Sequence, residues 1–346
     1  MTVKAINNLD QPSRISYPAQ SDGQVIPMMN QVITVDCNYI APQVAAAYIL
    51  IRQGRAVFIE NNTSRAVPGM LRVLREQGLQ PGDVEYAVVT HAHLDHAAGS
   101  RALIEACPNA QLLCHPRATR HLIDPTRLVQ GTTEVYGADR FQELYGEVGP
   151  VPADRVRAVQ DGETIDWHGE LLEFYHTPGH ASHHLVMVDR GSSSVFTGDA
   201  FGVAYPLLQR AGQLVLPSSP PTDFDAALSI ESVTRIVALG CEHLYPTHFG
   251  RMPGTQQEAL HDLCAGFRLF DEVVEDCTAR LQAGTPVAEI EKACRAAVDD
   301  YVSERLRRRG LELSPAEWEL LGLDRELNTK GLAFAAGRRL RKLTRP

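Results

Sequence analysis

The chain has 346 residues, 44% hydrophobic and 22% charged, the ordinary composition of a soluble globular protein with room for a large buried core. Its formal charge of −9 disfavours a nucleic-acid partner, and no apolar run approaches the roughly 18–20 residues a membrane helix needs. Seven cysteines stand singly with no C-x-x-C pair, which argues for reduced thiols in small core positions and against a disulfide framework or a cysteine zinc site.

Residues 1–25 hold Pro12, Pro18 and Gly23 among polar residues and read as an N-terminal arm. The stretch Met1 to Asp22 lacks the apolar core of a signal peptide, so a cytoplasmic protein is expected. Short apolar strands follow at Val32–Val35, Ala47–Ile51 and Ala56–Ile59, the last two joined by a hairpin turn at Gln53-Gly54. Ala66–Gln77 has helical periodicity and stops at Gly78, with Pro81-Gly82 beyond. Tyr86–Thr90 is a buried-type strand, followed by a helix from about His96 to Ala106 and a strand at Gln111–Cys114. This alternation predicts α/β layering. Residues 117–150 read as irregular, with Tyr136, Phe141 and Tyr145 among four glycines, and a connection of that length is commonly disordered or functional. Strands resume at Leu171–His176, Leu185–Asp189, Val195–Thr197 and Leu244–Thr247. After Gly250 the pattern is almost all helix, at Thr255–Thr278, Val287–Arg309, Pro315–Leu321 and Leu332–Leu343. The basic cluster Arg338, Arg339, Arg341, Lys342 and Arg345 reads as a solvated helix face and tail.

One segment carries the chemistry: Thr90-His91-Ala92-His93-Leu94-Asp95-His96, with three histidines and an aspartate within six residues directly after a buried strand. Imidazole and carboxylate are the ligands zinc takes in catalytic sites. A strand running into a loop can aim His91 and His93, two apart, in one direction. Asp95 and His96 fall where the next helix begins and point from a different backbone direction, which suits two adjacent metals better than one. Three further strand ends carry His180 (in Thr177-Pro178-Gly179-His180), Asp199 (in Thr197-Gly198-Asp199) and His248 (in Thr247-His248-Phe249-Gly250). Each alone is weak, because a strand-end His or Asp is more often structural. Together they deliver one ligand chemistry to one sheet edge, where open α/β folds place their sites.

These motifs resemble the H-x-H-x-D-H signature and the later metal motifs of the metallo-β-lactamase superfamily, over roughly residues 26–250. The resemblance implies an α/β fold, an αββα sandwich with the site at one edge, here extended by a helical C-terminal region, residues 251–346. It implies that His91, His93 and His180 hold a first metal, that Asp95, His96 and His248 hold a second, and that Asp199 bridges both. A histidine at the last motif resembles the glyoxalase II, lactonase and phosphodiesterase-like branches. Two divalent ions, zinc expected and iron or manganese as alternatives, would share a water and bring its pKa from about 16 to near 7. Asp95 and Asp199 would be the carboxylates closest to the chemistry. The expected activity is hydrolysis of an ester, thioester, lactone or phosphoester in a small molecule.

Three features depart from the family pattern. His180 is followed by His183 and His184, and His184 is a candidate substrate contact. Glu60-Asn61-Asn62 stands where the family often has an aspartate and a glycine; these residues either support the metal histidines or simply form a turn. The 84 positions from His96 to His180 exceed those of compact members. The surplus is 117–150, read as a lid insertion whose Tyr136 and Tyr145 are substrate contacts or packing residues. The C-terminal helices are open to three roles: lining the cleft, a homodimer contact, or a partner surface. Two rival activities stand beside hydrolysis, a mononuclear iron dioxygenase resembling persulfide dioxygenases and a partner-binding scaffold with a vestigial site. No Gly-x-Ser-x-Gly elbow, basic groove or added nucleic-acid domain is visible.

Overall fold

The structure is a computed structural model that describes residues 31–344, the side chains of Val135 and Tyr136 excepted. The N-terminal arm, and Tyr136 as a substrate contact, therefore lie outside the described residues. The first half of the sandwich is a six-stranded sheet in the order β1-β2-β3-β4-β5-β6. Its strands are β1 (Gln31–Asp36), β2 (Ala46–Arg52), β3 (Arg55–Ile59), β4 (Val84–Val88), β5 (Gln111–Cys114) and β6 (Val156–Ala158). β1, β2 and β3 pair antiparallel, and β3 to β6 run parallel. The second sheet has the order β11-β10-β9-β8-β7, from β7 (Thr164–Trp167), β8 (Glu170–His176), β9 (Leu185–Asp189), β10 (Ser194–Gly198) and β11 (His243–Pro246).

The layering follows from period-two side-chain alternation. Along β2, Ala47, Ile49 and Ile51 enter the core under the helices, while Ala46, Tyr48 and Leu50 enter the core between the sheets. β9 divides likewise, with Leu185 and Met187 facing the other sheet and Val186 and Val188 facing the second helical layer. Strands buried on both faces must be nearly all apolar, as these are. A buried ion pair also ties the sheets: Arg52 Nη2 lies 2.6 Å from Asp189 Oδ1, while Arg52 Nη1 donates to Trp167 O at 3.0 Å.

The helices over the first sheet are α1 (Val67–Glu76), α2 (Leu94–Ala97) and α3 (Ser100–Ala106). The single helix expected from His96 to Ala106 is thus two. The break falls at Gly99, whose N–H bonds Asn62 O at 3.0 Å and where a Cβ would meet Asn61 O at 2.6 Å and Thr63 O at 2.8 Å. Only glycine lets the Glu60–Thr63 loop pass so close.

Residues 117–150, expected to be irregular, fold largely into α4 (Thr119–Ile123), α5 (Thr126–Tyr136) and α6 (Ala138–Tyr145). The glycines that suggest irregularity lie partly between helices, Gly137 joining α5 to α6 and Gly146 ending α6, both at positive φ. Phe141, Leu144 and Tyr145 are buried in the main core.

The C-terminal part comprises α7 (Ala226–Ala238) of the sandwich and then α8 (Gln256–Gln282), α9 (Val287–Arg308), α10 (Pro315–Leu320) and α11 (Gly322–Leu343). The last of these begins ten residues before the expected Leu332 start. α8 packs on α7, α9 and α11 through Leu263, Phe267, Phe270 and Val274, which share one core with Val186, Val188 and Val195 of the second sheet. Among the described residues no helix is long and apolar enough to cross a membrane.

Candidate metal centre

Four strand ends converge between the two sheets. β4 runs into His91 and His93, β8 into His180, β10 into Asp199 and β11 into His248, while α2 presents Asp95 and His96 from its first turns. All seven residues predicted from the sequence meet here. They form three overlapping groups: His91, His93 and His180; His91, His96 and Asp199; Asp95, His96 and His248. Within each group the candidate ligand atoms lie within 4.8 Å of one another. His93 Nδ1 is 2.8 Å from His91 Nε2 and 3.1 Å from His180 Nε2. His248 Nε2 is 3.4 Å from Asp95 Oδ2, and His96 Nε2 is 3.7 Å from the same oxygen. Asp199 spans the two halves, with Oδ2 3.5 Å from His180 Nε2 and Oδ1 3.3 Å and 3.6 Å from His96 Nε2 and His248 Nε2.

The residues fit cations. His96 Nε2 and Asp199 Oδ1 are buried without a hydrogen-bond partner among the described residues, a costly state unless a positive ion takes up their lone pairs. Groups behind the ligands set which nitrogen is free. His248 Nδ1 donates to Val44 O at 2.7 Å, leaving Nε2 as a lone pair toward the centre. Glu60, wholly buried, accepts from Thr90 N at 3.3 Å and from the Thr90 hydroxyl, whose oxygen in turn stands 3.0 Å from His91 Nδ1. Glu60 Oε1 also lies 3.5 Å from His96 Nδ1. Asn62 Nδ2 donates to Asp95 O at 2.8 Å, and Asn61 Nδ2 to Ser100 Oγ at 2.9 Å. Of Glu60-Asn61-Asn62, Glu60 stands behind the His91 and His96 rings, while Asn61 and Asn62 bond the backbone and side chains at the start of α2 and α3.

Charge divides the centre. Burial, then the neighbouring imidazoles, press His91 well below the ordinary histidine range, and burial takes His180 down to about 3. Burial works against protonation of His248 too, yet Asp199 and Asp95 outweigh it and hold the ring up at about 9. His96 is raised for the same reason, with Glu60 adding to the two aspartates.

Two candidate substrate contacts lie away from open space. His184 is wholly buried behind Asp199, its Nε2 accepting the Asp199 N–H at 3.3 Å and its Nδ1 2.8 Å from Thr177 Oγ1. It holds the backbone of Asp199, and glycine at 198 leaves room for it, since a Cβ there would meet His184 Nε2 at 2.7 Å. Tyr145 is buried against Phe141 and Tyr39, with ring centroids 5.3 and 6.3 Å away. The half-buried member of the histidine pair is His183, whose Nδ1 accepts Ala92 N at 3.4 Å and whose ring centre is 5.9 Å from that of His93.

Sequence reasoning left Tyr205 and Asp324 without a role. The Tyr205 ring stands edge-on to His248 at 6.0 Å, and its hydroxyl donates to Asp324 at 3.1 Å. Asp324 opens α11, so the C-terminal helix reaches the wall of the second group. No motif signals a contact across 119 positions.

A family model for the metallo-β-lactamase superfamily matches residues 47–248, more than half of the chain and all seven convergent residues. The chain belongs to the metallo-β-lactamase superfamily. Its metallo-β-lactamase fold carries α8 to α11 beyond the matched span. Among relatives, the metallo-beta-lactamase fold-containing protein ST1585 of Sulfurisphaera tokodaii is 25% identical over 201 residues, 57% of this chain and 70% of that protein. A hydroxyacylglutathione hydrolase of Aeromonas hydrophila is 38% identical over 72 residues, 20% of this chain and 28% of that enzyme. The match to that enzyme thus spans less than a third of its length. The crystal structure of ST1585 superposes with a TM-score of 0.59 at 19% identity, covering 88% of this chain and 98% of that one. The metallo-beta-lactamase family protein TTHA1429 from Thermus thermophilus gives 0.57 at 18% identity, covering 90% and 93%. At these identities the likeness speaks for the fold.

Proposed function

We propose that this metallo-β-lactamase-fold protein is a dinuclear hydrolase, loaded with zinc, that cleaves an ester, thioester, lactone or phosphoester bond in a small molecule. The observation that carries the reading is the position of Asp199, whose two oxygens face different ligand groups. A carboxylate so placed fits two neighbouring cations. His91, His93 and His180 would hold the first ion and Asp95, His96 and His248 the second. Two ions there would supply Lewis acidity, acidifying a water to near pH 7 from about 16 and stabilising charge on the scissile group.

The chain's own residues do the rest. Asp199 and Asp95 offset the mutual repulsion of two cations, and His184 and Glu60 keep the bridging carboxylate and His96 from turning away. Asp95, partly exposed, would accept a hydrogen bond from the attacking water and so orient it. No serine or cysteine nucleophile is required. The short similarity to a hydroxyacylglutathione hydrolase supports ester or thioester cleavage. Seven free cysteines support a cytoplasmic setting.

The test is turnover of generic esters, thioesters, lactones and phosphodiesters by zinc-loaded protein. His96→Ala and His248→Ala should each lower kcat/KM by more than about 100-fold, since even residues that merely support metal ligands cost 10–100-fold. Retention of full activity by His248→Ala would favour a single-metal centre.

A further inference from the structure

Beside the first ligand group lies an open cavity of about 750 Å³ lined by Arg117, Thr119, Arg120, Ile123, Asp124 and Ser182. Ser182 sits two residues after His180, and Arg117 Nη1 donates to Ser182 O at 3.4 Å. Arg120 Nε donates to His121 Nε2 at 3.2 Å. The His121 ring is 5.7 Å from that of His183, which in turn lies 5.9 Å from that of His93. Both guanidinium groups are therefore connected to the first ligand group through the loop or the imidazoles between them.

The arginines of this protein fall into two groups, those that pair with a carboxylate and those, such as Arg65, Arg155 and Arg338, that donate to backbone carbonyls. Arg101, Arg140, Arg190 and Arg235 each pair with a carboxylate. Arg117 and Arg120 are exposed and direct their hydrogen bonds to a carbonyl oxygen and an imidazole. Neither acceptor carries the negative charge that would neutralise a guanidinium. The one acid on the cavity wall, Asp124, accepts Thr126 N at 3.1 Å and so serves the start of α5. Asp223, on the far side of the Ser182 backbone, accepts Ser182 N at 2.8 Å, so neither guanidinium pairs directly with an acid among the described residues, and two arginines on one cavity wall give an anion forked donors.

We propose that Arg117 and Arg120 form an anion-recognition subsite that selects ester or thioester substrates carrying a carboxylate or a phosphate at the end remote from the scissile bond. The proposal rests on the hydrolase reading above. Substrate would lie with its reactive group against the ligand residues, its body along His183 and His121, and its anionic end in the cavity. The arginines do no chemistry; they bind the part of the substrate that does not react.

The experiment compares matched substrate pairs with zinc-loaded wild type, R117A/R120A and R117K/R120K. One pair is mono-4-nitrophenyl suberate against 4-nitrophenyl heptanoate; the other is S-acetyl-pantetheine 4′-phosphate against S-acetyl-pantetheine. The alanine variant should raise KM about tenfold for the anionic member of at least one pair, as loss of charge-assisted bonds does. Its kcat should stay within about twofold, the neutral members should be unaffected, and the lysine variant should recover part of the loss. An effect on suberate alone identifies carboxylate, and an effect on the phosphorylated thioester alone identifies phosphate. An equal change for charged and neutral members, or no change for either pair, overturns the subsite. Should the wild type hydrolyse none of the four, the hydrolase reading has failed and binding decides the subsite by itself. Calorimetric titration with suberate and with phosphopantetheine then supports it if the alanine variant loses affinity. Equal affinity in the two proteins, or no binding to wild type, overturns it.

Discussion

At the scale of single residues, Asp199 carries the two-metal proposal, because its oxygens face His180 on one side and His96 and His248 on the other. Replacing it by asparagine keeps the shape and removes the charge. Asp199→Asn is predicted to lower metal content and hydrolysis together, by more than about 100-fold in rate, with an unchanged circular dichroism spectrum. Parent activity in that variant would remove the bridge from the account. A second consequence concerns protons. Without metal, His248 stays protonated up to about pH 9, held by Asp199 and Asp95 against the cost of burial. Its folded pKa is above the ordinary histidine value of about 6.5, so the stabilisation it brings is complete below that value and is lost as pH rises through about 9. The metal-free protein should therefore lose stability between pH 7 and 9. Zinc uptake at pH 7 should release protons. A weakly buffered titration with an indicator dye measures this, and uptake without proton release would contradict it. The seven candidate ligands were legible because each sits in a short motif just after a strand or at the start of the helix that follows it. His184, Tyr205 and Asp324 were not, since their partners lie 15 to 119 positions away and no local pattern encodes such a meeting.

At the scale of elements, α11 is tied to the loop that follows Asp199. Asn328 accepts from Ser219 N at 2.7 Å and donates to Pro217 O at 3.0 Å, and Gly331 sits so close that a Cβ would collide with Ser219 O. Gly331→Ala should force the helix off the loop and cost about 1–3 kcal/mol. Because Asp324 rides on the same helix, activity should fall more than global stability explains; thermal melts and kcat/KM measured together test this, and an unaltered melt would contradict the packing argument. In the 117–150 segment, Phe141 is buried in the main core. Phe141→Ala should cost about 3–5 kcal/mol while leaving KM for a small ester near the parent value, as denaturant unfolding and steady-state kinetics would show. The strands β2, β9 and β5 were readable from their apolar runs, with Gln111–Cys114 and Leu185–Asp189 matching the structure at both ends. Residues 117–150 were not, because α4 to α6 are short and separated by glycine and proline, so no helical period had length enough to emerge. The break between α2 and α3 was hidden too, since Gly99 answers to the backbone of a loop 36 residues earlier.

At the scale of the whole molecule, a metallo-β-lactamase fold carries the candidate site, and four C-terminal helices lie beyond the span that the family model matches. The two sheets meet where their strand ends bring four separate motifs together, so the sandwich itself sets the spacing of the ligand atoms. The extension joins the core of the second sheet through α8, and α11 brings Asp324 against Tyr205. Hydrolysis needs a Lewis-acidic ion and no redox change, so redox-inert zinc is sufficient. An iron dioxygenase on this scaffold would need the first ligand group alone. The most direct test is the anaerobic rate of ester or thioester hydrolysis plotted against equivalents of zinc added to metal-free protein. The expected result is a rate that climbs to a plateau at two equivalents per chain. A rate that stays at zero with zinc, while one equivalent of iron supports oxygen consumption, would contradict it.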